Sequence, residues 1–511
     1  MKVSEKLDFL MNLTKTTNSA LSQAVSLDAS YISRLRRGER SLRKKEEYIK
    51  NMASYFARHC CEPYQHKALC DAISPVLLPA EESALPSSIA RWLLAENEKD
   101  IETIENFLDG FSGSKAAKVV PQAAGAEIPL LKFPPGDMDV FYGIEGKRQA
   151  VIYFLSQVAA RDKPQTLLLF SDEATDWMTT SPQFAARWFS LMTRTLVRGN
   201  RIKIIHTINR DLDEMMSAIS QWMPLYMSGS IEPYFYPKKR DGIFKRTLFI
   251  APETAAVISN SIGSTHTGAA NILFREEKAV KSFADEYNQY LALCRPLMRI
   301  FTAKDEEAYL KTLSEFEKEQ SDTIIKTESL SLLTMPESLA RSLLLKLDFK
   351  NTDILGYHKA RIATFLKNLR SNRFTEIIQL TPPQAVAGGK VKIAFSNMLS
   401  SGAMYYTGEE YVLHLKNLIS LLDSFPNFHI YIADGIRDEG YTVYAREDLG
   451  TIVAKTSTPA VVLAMNENNM AAAFWDFLLN TVGKKFYENP ENQRTADRLR
   501  AYIREFEEDI K

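Results

Sequence analysis

The feature of this sequence that most constrains its fold is a long internal repeat. Residues from about 140 to 295 and from about 352 to 482 align in separate blocks that keep their order. Gly146 to Leu155 (GKRQAVIYFL) lies over Tyr357 to Leu366 (YHKARIATFL), a helical pattern in both. Leu167 to Asp172 lies over Glu376 to Thr381, and Arg201 to Ile208 over Asn427 to Asp434, each a short apolar run that reads as a buried strand. Thr247 to Ser261 falls on Thr442 to Thr456 without a gap, as a β-hairpin would. The closing helices REEKAVKSFADEY and NENNMAAAFWDFL also register without a gap, Phe283 on Phe474. The period is far too long for a solenoid. The expectation is two similar α/β half-domains, over 136–300 and 351–485, packed face to face. A helical linker over 301–350 would separate them, and a C-terminal helix over 486–511 would follow.

The repeat leaves about 135 residues in front of it, and these are chemically different. Over the whole chain Lys+Arg and Asp+Glu both number 63, so the formal charge is zero. From Met1 to Arg58, however, twelve basic residues face six acidic ones, a local charge of +6. Local basicity of this kind is the electrostatic footprint of a nucleic-acid-binding module. Inside it, Thr17-Asn18-Ser19 can cap a short helix carrying Leu21, Ala24 and Val25 on one face. After a turn at Ser26-Leu27, Asp28 can cap a second helix, ASYISRLRR, with Ile32 and Leu35 inward and Gly38 as its left-handed terminator. Two short helices joined by a tight turn make a helix-turn-helix. Ser30, Tyr31, Ser33 and Arg34 are then left outward, where hydroxyls and a guanidinium suit base edges. Arg36, Arg37, Arg40 and Arg43 suit phosphates.

The run SALSQAVSLDASYISRLRRGERSL resembles the helix-turn-helix of the Cro and lambda-repressor-like regulators. Leu21, Val25, Ile32, Ser33, Arg34, Gly38 and Arg40 stand at matching places, and Ser26 stands where that family usually has a turn glycine. The resemblance covers about the first sixty residues. It implies a DNA-binding domain over 1–59, double-stranded DNA as partner, and Thr17, Asn18, Ser19, Ser30, Tyr31, Ser33, Arg34, Arg37 and Arg40 as contact residues. A helical connector and linker over 60–135 follows, broken by Pro63, Pro75, Pro79 and Pro86. Its amphipathic stretch Ser88 to Leu108 is a candidate homodimer helix, or else packs within its own domain.

The repeated half, read as strand, helix, strand and hairpin, resembles the phospholipase D superfamily, whose hairpin bears H-x-K-x-x-x-x-D-x-x-x-x-x-x-G-S-x-N. Laid on that motif, Phe244 takes the histidine place, Arg246 the lysine and Ala251 the aspartate; Ser259 keeps the serine, and Ile258 and Ser261 replace glycine and asparagine. In the second half Glu439, Tyr441 and Arg446 take the three catalytic places and Thr456 that of the asparagine. The resemblance implies a pseudo-two-fold pair of halves with a site between them. The chemistry of that family needs one histidine as nucleophile and another as acid. Phe244 and Glu439 supply neither, so the expectation is no enzyme.

Other chemistry is thin. The seven histidines show no metal-ligand spacing, there is no phosphate-binding glycine loop, and no cofactor is expected. His206, at the end of a predicted strand, reads as a core or cleft histidine. His414-Leu415-Lys416 reads as part of a helix. Four cysteines without C-x-x-C spacing, no signal-peptide pattern and no long apolar run point to a cytoplasmic protein with no membrane segment. Some sugar-sensing archaeal regulators similarly join a DNA-binding module to a phospholipase-D-like effector domain. By that analogy the expectation is a sequence-specific transcription regulator, homodimeric, whose body senses a small anionic effector. Arg246, Glu439, Tyr441 and Arg446 would line the effector site, the two arginines clamping one anion from opposite halves. An interaction scaffold or defence-associated protein is the alternative.

Overall fold

The computed structural model describes residues 3–37, 46–73, 85–114, 131, 136–207, 212–237, 243–263, 268–346, 354–394, 396, 403–433 and 440–509. The N-terminal domain is all-helical: α1 (Val3–Leu13), α2 (Asn18–Val25), α3 (Ala29–Arg36), α4 (Glu46–His59) and α5 (Pro63–Ala72). Pro63 opens α5 at its first turn, where a missing N–H costs nothing. The long helix α6 (Leu85–Gly113) then leaves the domain. One core holds this part together: Leu7, Leu10, Leu21, Val25, Ile32, Leu35 and Phe56 pack with Ile89, Trp92 and Leu93 of α6. The buried ammonium of Lys6 donates to the Trp92 carbonyl at 2.6 Å, tying α1 to α6.

The remainder is two α/β halves built on mixed sheets. The first runs β1 (Met138–Tyr142), α7 (Gly143–Ala160), β2 (Thr166–Ser171), α8 (Asp176–Thr179), α9 (Pro182–Val197), β3 (Arg201–His206), α10 (Leu212–Tyr226), β4 (Ile231–Phe235), β5 (Phe244–Ala251), β6 (Ala255–Ile262), β7 (Ala270–Phe274), α11 (Glu277–Leu291) and β8 (Arg295–Pro296). The second runs β9 (Arg299–Thr302), α12 (Glu306–Lys318), β10 (Thr323–Lys326), α13 (Glu337–Lys346), α14 (Ile354–Asn368), β11 (Phe374–Ile378), α15 (Pro383–Ala387), α16 (Gly408–Ser424), β12 (Phe428–Ile432), β13 (Tyr441–Arg446), β14 (Gly450–Lys455), β15 (Val461–Met465), α17 (Asn468–Val482), α18 (Lys484–Glu488) and α19 (Asn492–Asp509).

The duplication is visible in the strand orders. The first sheet reads β1-β7-β6-β5-β2-β3-β4, with β8 added at its edge; the second reads β9-β15-β14-β13-β10-β11-β12. Each strand of one has its counterpart in the other, in sequence order and in pairing. The correspondence differs from the sequence alignment at the start of the repeat. Strand β2 matches β10, which lies between β11 and β13, and not β11. Helix α7 likewise matches α12 rather than α14. Much of 301–350, expected as a helical linker, is therefore the opening of the second half. The hairpins β5–β6 and β13–β14 and the closing helices α11 and α17 correspond as expected.

The halves meet through unlike faces. Helix α11 covers one face of the first sheet through Val280, Ala284 and Tyr287. The other face carries α7, α9 and α10, and their core is continuous with that of α17 and the second sheet. Helix α6 lies in this junction: Ile101, Ile104, Phe107, Leu108 and Phe111 are buried there, and α6 packs on both α10 and α17. The far face of the second sheet carries α12, α13, α14, α16 and α19 over a separate core. One helix therefore runs from the core of the N-terminal domain to the joint between the halves.

Candidate nucleic-acid interface and the sites of the α/β body

The helix-turn-helix is built by two local caps. The Thr17 hydroxyl accepts from the Ala20 N–H at 3.2 Å and starts α2; the Asp28 carboxylate accepts from the Ser30 N–H at 2.6 Å and starts α3. The Ser30 hydroxyl, and then its N–H, lower the Asp28 carboxyl from its usual value. Between them Ser26 takes a left-handed conformation, φ +55°, the geometry for which a turn glycine is usually chosen. Ile32 and Leu35 are fully buried, as their spacing implies. On α2 the buried residues are Leu21, Ser22 and Val25, while Ala24 is exposed. Ser22 is accommodated because its hydroxyl donates to the Ser19 carbonyl at 2.8 Å.

Most of the expected contact residues lie toward solvent, and two are partly diverted. Thr17, Ser19, Ser30 and Arg37 are exposed, and Ser33 and Arg34 half-buried. Arg34 lies along α3, donating to the Ser30 carbonyl and hydroxyl at 3.3 Å each; Arg37 donates to the Ser33 carbonyl. Tyr31 is half-buried against the domain core, so only part of its ring faces outward. The Asn18 carbonyl oxygen accepts from Arg36 at 3.0 Å, and Arg36 also binds Asp8 of α1 through Nε at 3.0 Å. Arg36, expected on phosphate, instead fastens α3 to α1 and α2. Gly38, Arg40 and Arg43 lie outside the described residues.

Of the two readings the sequence left open for the long helix, the structure shows packing within its own chain. Of its apolar positions, Ile89 and Leu93 belong to the N-terminal core, and Ile101, Ile104 and Leu108 to the junction between halves. Its described apolar residues are buried within one chain.

In the body, strand register corrects the motif reading. Thr247 pairs with Ser259 and Lys245 with Ser261, whereas Phe244 pairs with Ile262 and Arg246 with Asn260. Directly paired residues share a face of the sheet, so a shift of one residue exchanges the faces. Lys245 and Thr247, not Phe244 and Arg246, share a face with Ser259 and Ser261. Arg246 turns to the α11 side and forms a two-pronged pair with Glu286. In the second half Arg446 is only 2% exposed. Its guanidinium donates to the Phe316 carbonyl at 2.5 Å and to that of Glu319, satisfying the C-terminal carbonyls of α12. Both arginines lie on the far sides of their own sheets from the shared core. They cannot clamp one anion. Tyr441 is buried at the shared core, its hydroxyl 3.3 Å from the Lys326 ammonium. Glu439 lies outside the described residues.

Where the first hairpin faces α7 there is a buried polar cluster that sequence reasoning missed. Lys147 of α7 reaches Glu173, just past β2, at 2.5 Å and the Thr247 hydroxyl at 2.7 Å. The same Glu173 oxygen accepts from Thr247 at 2.6 Å and Ser259 at 2.5 Å. Burial alone would raise the Glu173 carboxyl, but Lys147 and these hydroxyls outweigh it and hold it down at about 2. Burial pushes the Lys147 ammonium below its ordinary value against the attraction of Glu173. Charge and hydrogen bonds close on one another, and the adjoining space of about 10 Å³ has room for a single water. Among the described residues no histidine takes part in this cluster. His206 sits at the end of β3, as expected of a core or cleft histidine, with Nε2 2.6 Å from the Tyr226 hydroxyl.

The second half holds another buried network, at Glu376 of β11. Its carboxyl accepts from the Ser331 N–H at 2.8 Å and lies 3.1 Å from the Thr334 hydroxyl. That hydroxyl lies 3.1 Å from His414 Nε2, and His414 Nδ1 is 3.0 Å from the Tyr406 hydroxyl. Glu376 and His414 are fully buried. Burial drives the glutamate up to about 7, opposed by its two hydrogen bonds, and the histidine down to about 3, each toward its uncharged form. His414 lies in α16, as its sequence pattern implies. The network fixes the 329–335 segment over β11.

That segment walls a cavity of about 120 Å³ between the second sheet and α12, α13 and α14. Only apolar contacts and a few polar groups line it, His358 and Arg361 among them. Among the described residues there is no cluster of three or more histidine, cysteine or carboxylate side chains able to hold a metal ion, and no helix long and apolar enough to cross a membrane.

No protein-family model matches the chain, and no curated protein matches its sequence. Solved structures do. TrmBL2, an archaeal chromatin protein described as showing a novel mode of DNA binding, is 12% identical; the likeness covers 42% of this chain and 72% of that one, with a TM-score of 0.24. NucT from Helicobacter pylori is 12% identical over 31% of this chain and 98% of its own, with a TM-score of 0.22. Nuc from Salmonella typhimurium, a phospholipase D family member, is 14% identical over 31% and 96%, also with a TM-score of 0.22.

Proposed function

We propose that this protein is a sequence-specific DNA-binding transcription regulator whose α/β body is non-catalytic and senses a small molecule. The observation that carries the reading is α3: capped by Asp28 and anchored by Ile32 and Leu35, it turns Ser30, Ser33, Arg34 and Arg37 outward on a basic domain. Hydroxyls and guanidinium groups on one exposed helix suit base edges and phosphates together. A sensing role for the body is supported by α6, whose two ends belong to the DNA-reading core and to the joint between the halves. A shift of the halves would move the helix that carries the reader. A non-catalytic body is supported by the hairpin face itself, which offers Lys245, Thr247, Ser259 and Ser261 where phosphodiester chemistry would need histidines.

The test is fluorescence anisotropy with the full chain on duplexes enriched from a random pool. Arg34→Ala should weaken binding to the enriched duplex by about 1–3 kcal/mol and relax the preference at one position. Equal loss on enriched and random duplexes would refute base reading by this residue. Two copies on a two-fold-related site would set half-sites ~34 Å apart, or a multiple of it. Light scattering of the protein–DNA complex should then give two chains per duplex; one chain would refute pairing.

A further inference from the structure

We propose that the cavity in the second half is a binding site for a small, neutral, largely apolar molecule carrying one hydrogen-bond donor. The proposal rests on the reading of the body as a sensor and names the class of molecule sensed. A concave space of about 120 Å³ with a largely apolar wall is the form that small-molecule sites take. At roughly 10–15 Å³ of such space per water-sized atom, it takes a molecule of about eight to twelve non-hydrogen atoms.

The wall sets the chemistry. Leu313 of α12, Leu333 and Met335 of the 329–335 segment, Leu343 of α13, and Ile325 and Ile452 of the sheet make it apolar. Arg361, the cation among the described wall residues, is spent on Glu317: Nε and a terminal nitrogen reach the two carboxylate oxygens at 2.8 and 2.6 Å. Among the described wall residues no net charge is left to hold an anion, which distinguishes this site from the anion clamp expected between the halves. His358 supplies the polar contact. Burial holds its imidazole below the ordinary value, therefore neutral. Nε2 lies 3.3 Å from the Met335 carbonyl, which can only accept, so the proton sits on Nε2. Nδ1 is then an acceptor, and the ligand group that matches it is a hydroxyl or N–H.

The site also has a route to the DNA reader. Ile325, Tyr444 and Ile452 line the cavity, while their neighbours Ile324, Val443 and Val453 face the core that holds α17 and α6. Alternation along a strand puts these on opposite faces of one sheet. The second sheet and α17 packed on it stand between the ligand and α6, the helix that enters the DNA-binding domain.

Indole, with nine non-hydrogen atoms and one N–H, is the probe. Benzofuran has the same shape without the donor, and indole-3-carboxylate adds a charge. Calorimetry on the full chain should give one saturable site for indole. Benzofuran should bind about two- to twelve-fold more weakly, the worth of one hydrogen bond, and the carboxylate at least a hundred-fold more weakly. His358→Phe should reduce indole to the affinity of benzofuran. Ala340→Phe, which fills the space from α13, should abolish binding. As a readout independent of any variant, wild-type protein should show nuclear Overhauser contacts from indole to the methyls of Leu313, Leu333 and Leu343. No saturable binding of either neutral probe, or contacts elsewhere, would overturn the site and leave the DNA reading intact. Indole bound in the cavity should change the affinity for the enriched duplex at least five-fold. Binding there without such a change would instead overturn the sensing role.

Discussion

A fully buried glutamate held at about 7 makes stability depend on pH in a direction opposite to that of ordinary carboxylates. Unfolded, Glu376 would titrate near its model value of 4.5. Below that pH both states are protonated and the group contributes nothing. Between 4.5 and about 7 the unfolded chain ionises while the folded one keeps its proton, so stability falls as pH rises. Above 7 the loss is complete. At 1.36 kcal/mol per pKa unit it amounts to about 3 kcal/mol. His414, held neutral at about 3, acts in the opposite sense, since an unfolded histidine takes up a proton below its usual value. The two partly cancel between pH 4.5 and 6.5, so wild type alone would mislead. Glu376→Gln isolates the carboxyl, because the amide still accepts from Ser331 and the His414 contribution is common to both proteins. Melting of both by calorimetry at pH 5, 6, 7 and 8 should show the variant gaining on wild type with rising pH. The gain should total roughly 6–12 °C in the transition of the second half, by the usual ~2–4 °C per kcal/mol for a unit of this size. A gap that stays constant from pH 5 to 8 would mean that Glu376 ionises in its ordinary range, and the dry network would be refuted.

Further expectations follow from single contacts. Ser26→Gly should stabilise the N-terminal domain by ~0.5–1 kcal/mol, because φ +55° strains a side-chain-bearing residue; an unchanged melting temperature would count against that strain. Lys147→Met should destabilise the first half by ~3–5 kcal/mol, since it strands the buried Glu173 carboxylate, and Lys147→Met with Glu173→Leu should recover most of the loss by urea titration. Because Glu173 is held down at about 2, its contribution is present above pH 4.5 and should fade as pH falls towards 2. Arg37→Ala should lower the salt slope of DNA binding by about one without changing the melting temperature, whereas Arg36→Ala should lower the melting temperature through Asp8 and Asn18 and leave the slope unchanged.

What the sequence disclosed depended on how local the determining contacts are. The caps Thr17 and Asp28 act within three residues, and Leu21, Val25, Ile32 and Leu35 follow helical spacing, so the reader was legible. Ala24 was misplaced because Ser22 hides its polarity by bonding back to Ser19. In the body, the hairpin and closing helices aligned correctly, for each carries an ungapped pattern, over about fifteen residues in the hairpin and about thirteen in the helix. The units before them slipped by one βα step. Strands such as β2, β10 and β11 are short apolar runs with nothing to tell one from another, and β10, only Thr323–Lys326, is too short to announce itself. The expected site failed on register: a motif laid on β5 one residue out turns Arg246 to the opposite face. The buried pair Lys147–Glu173 and the cavity under α12, α13 and α14 arise from tertiary packing of distant segments, and no local pattern encodes them. Helix α6 was amphipathic as read, but which partners its face meets is decided by α4 at one end and by α10 and α17 at the other.

The central claim is that α3 reads DNA sequence, and selection tests it most directly. Full-length protein is taken through rounds of binding to randomised duplexes at near-physiological salt, and the enriched pool is sequenced beside that of Arg34→Ala. The account predicts a defined motif for wild type and loss of at least one of its positions in the variant. An unenriched pool for wild type, or the same motif from both proteins, would contradict it.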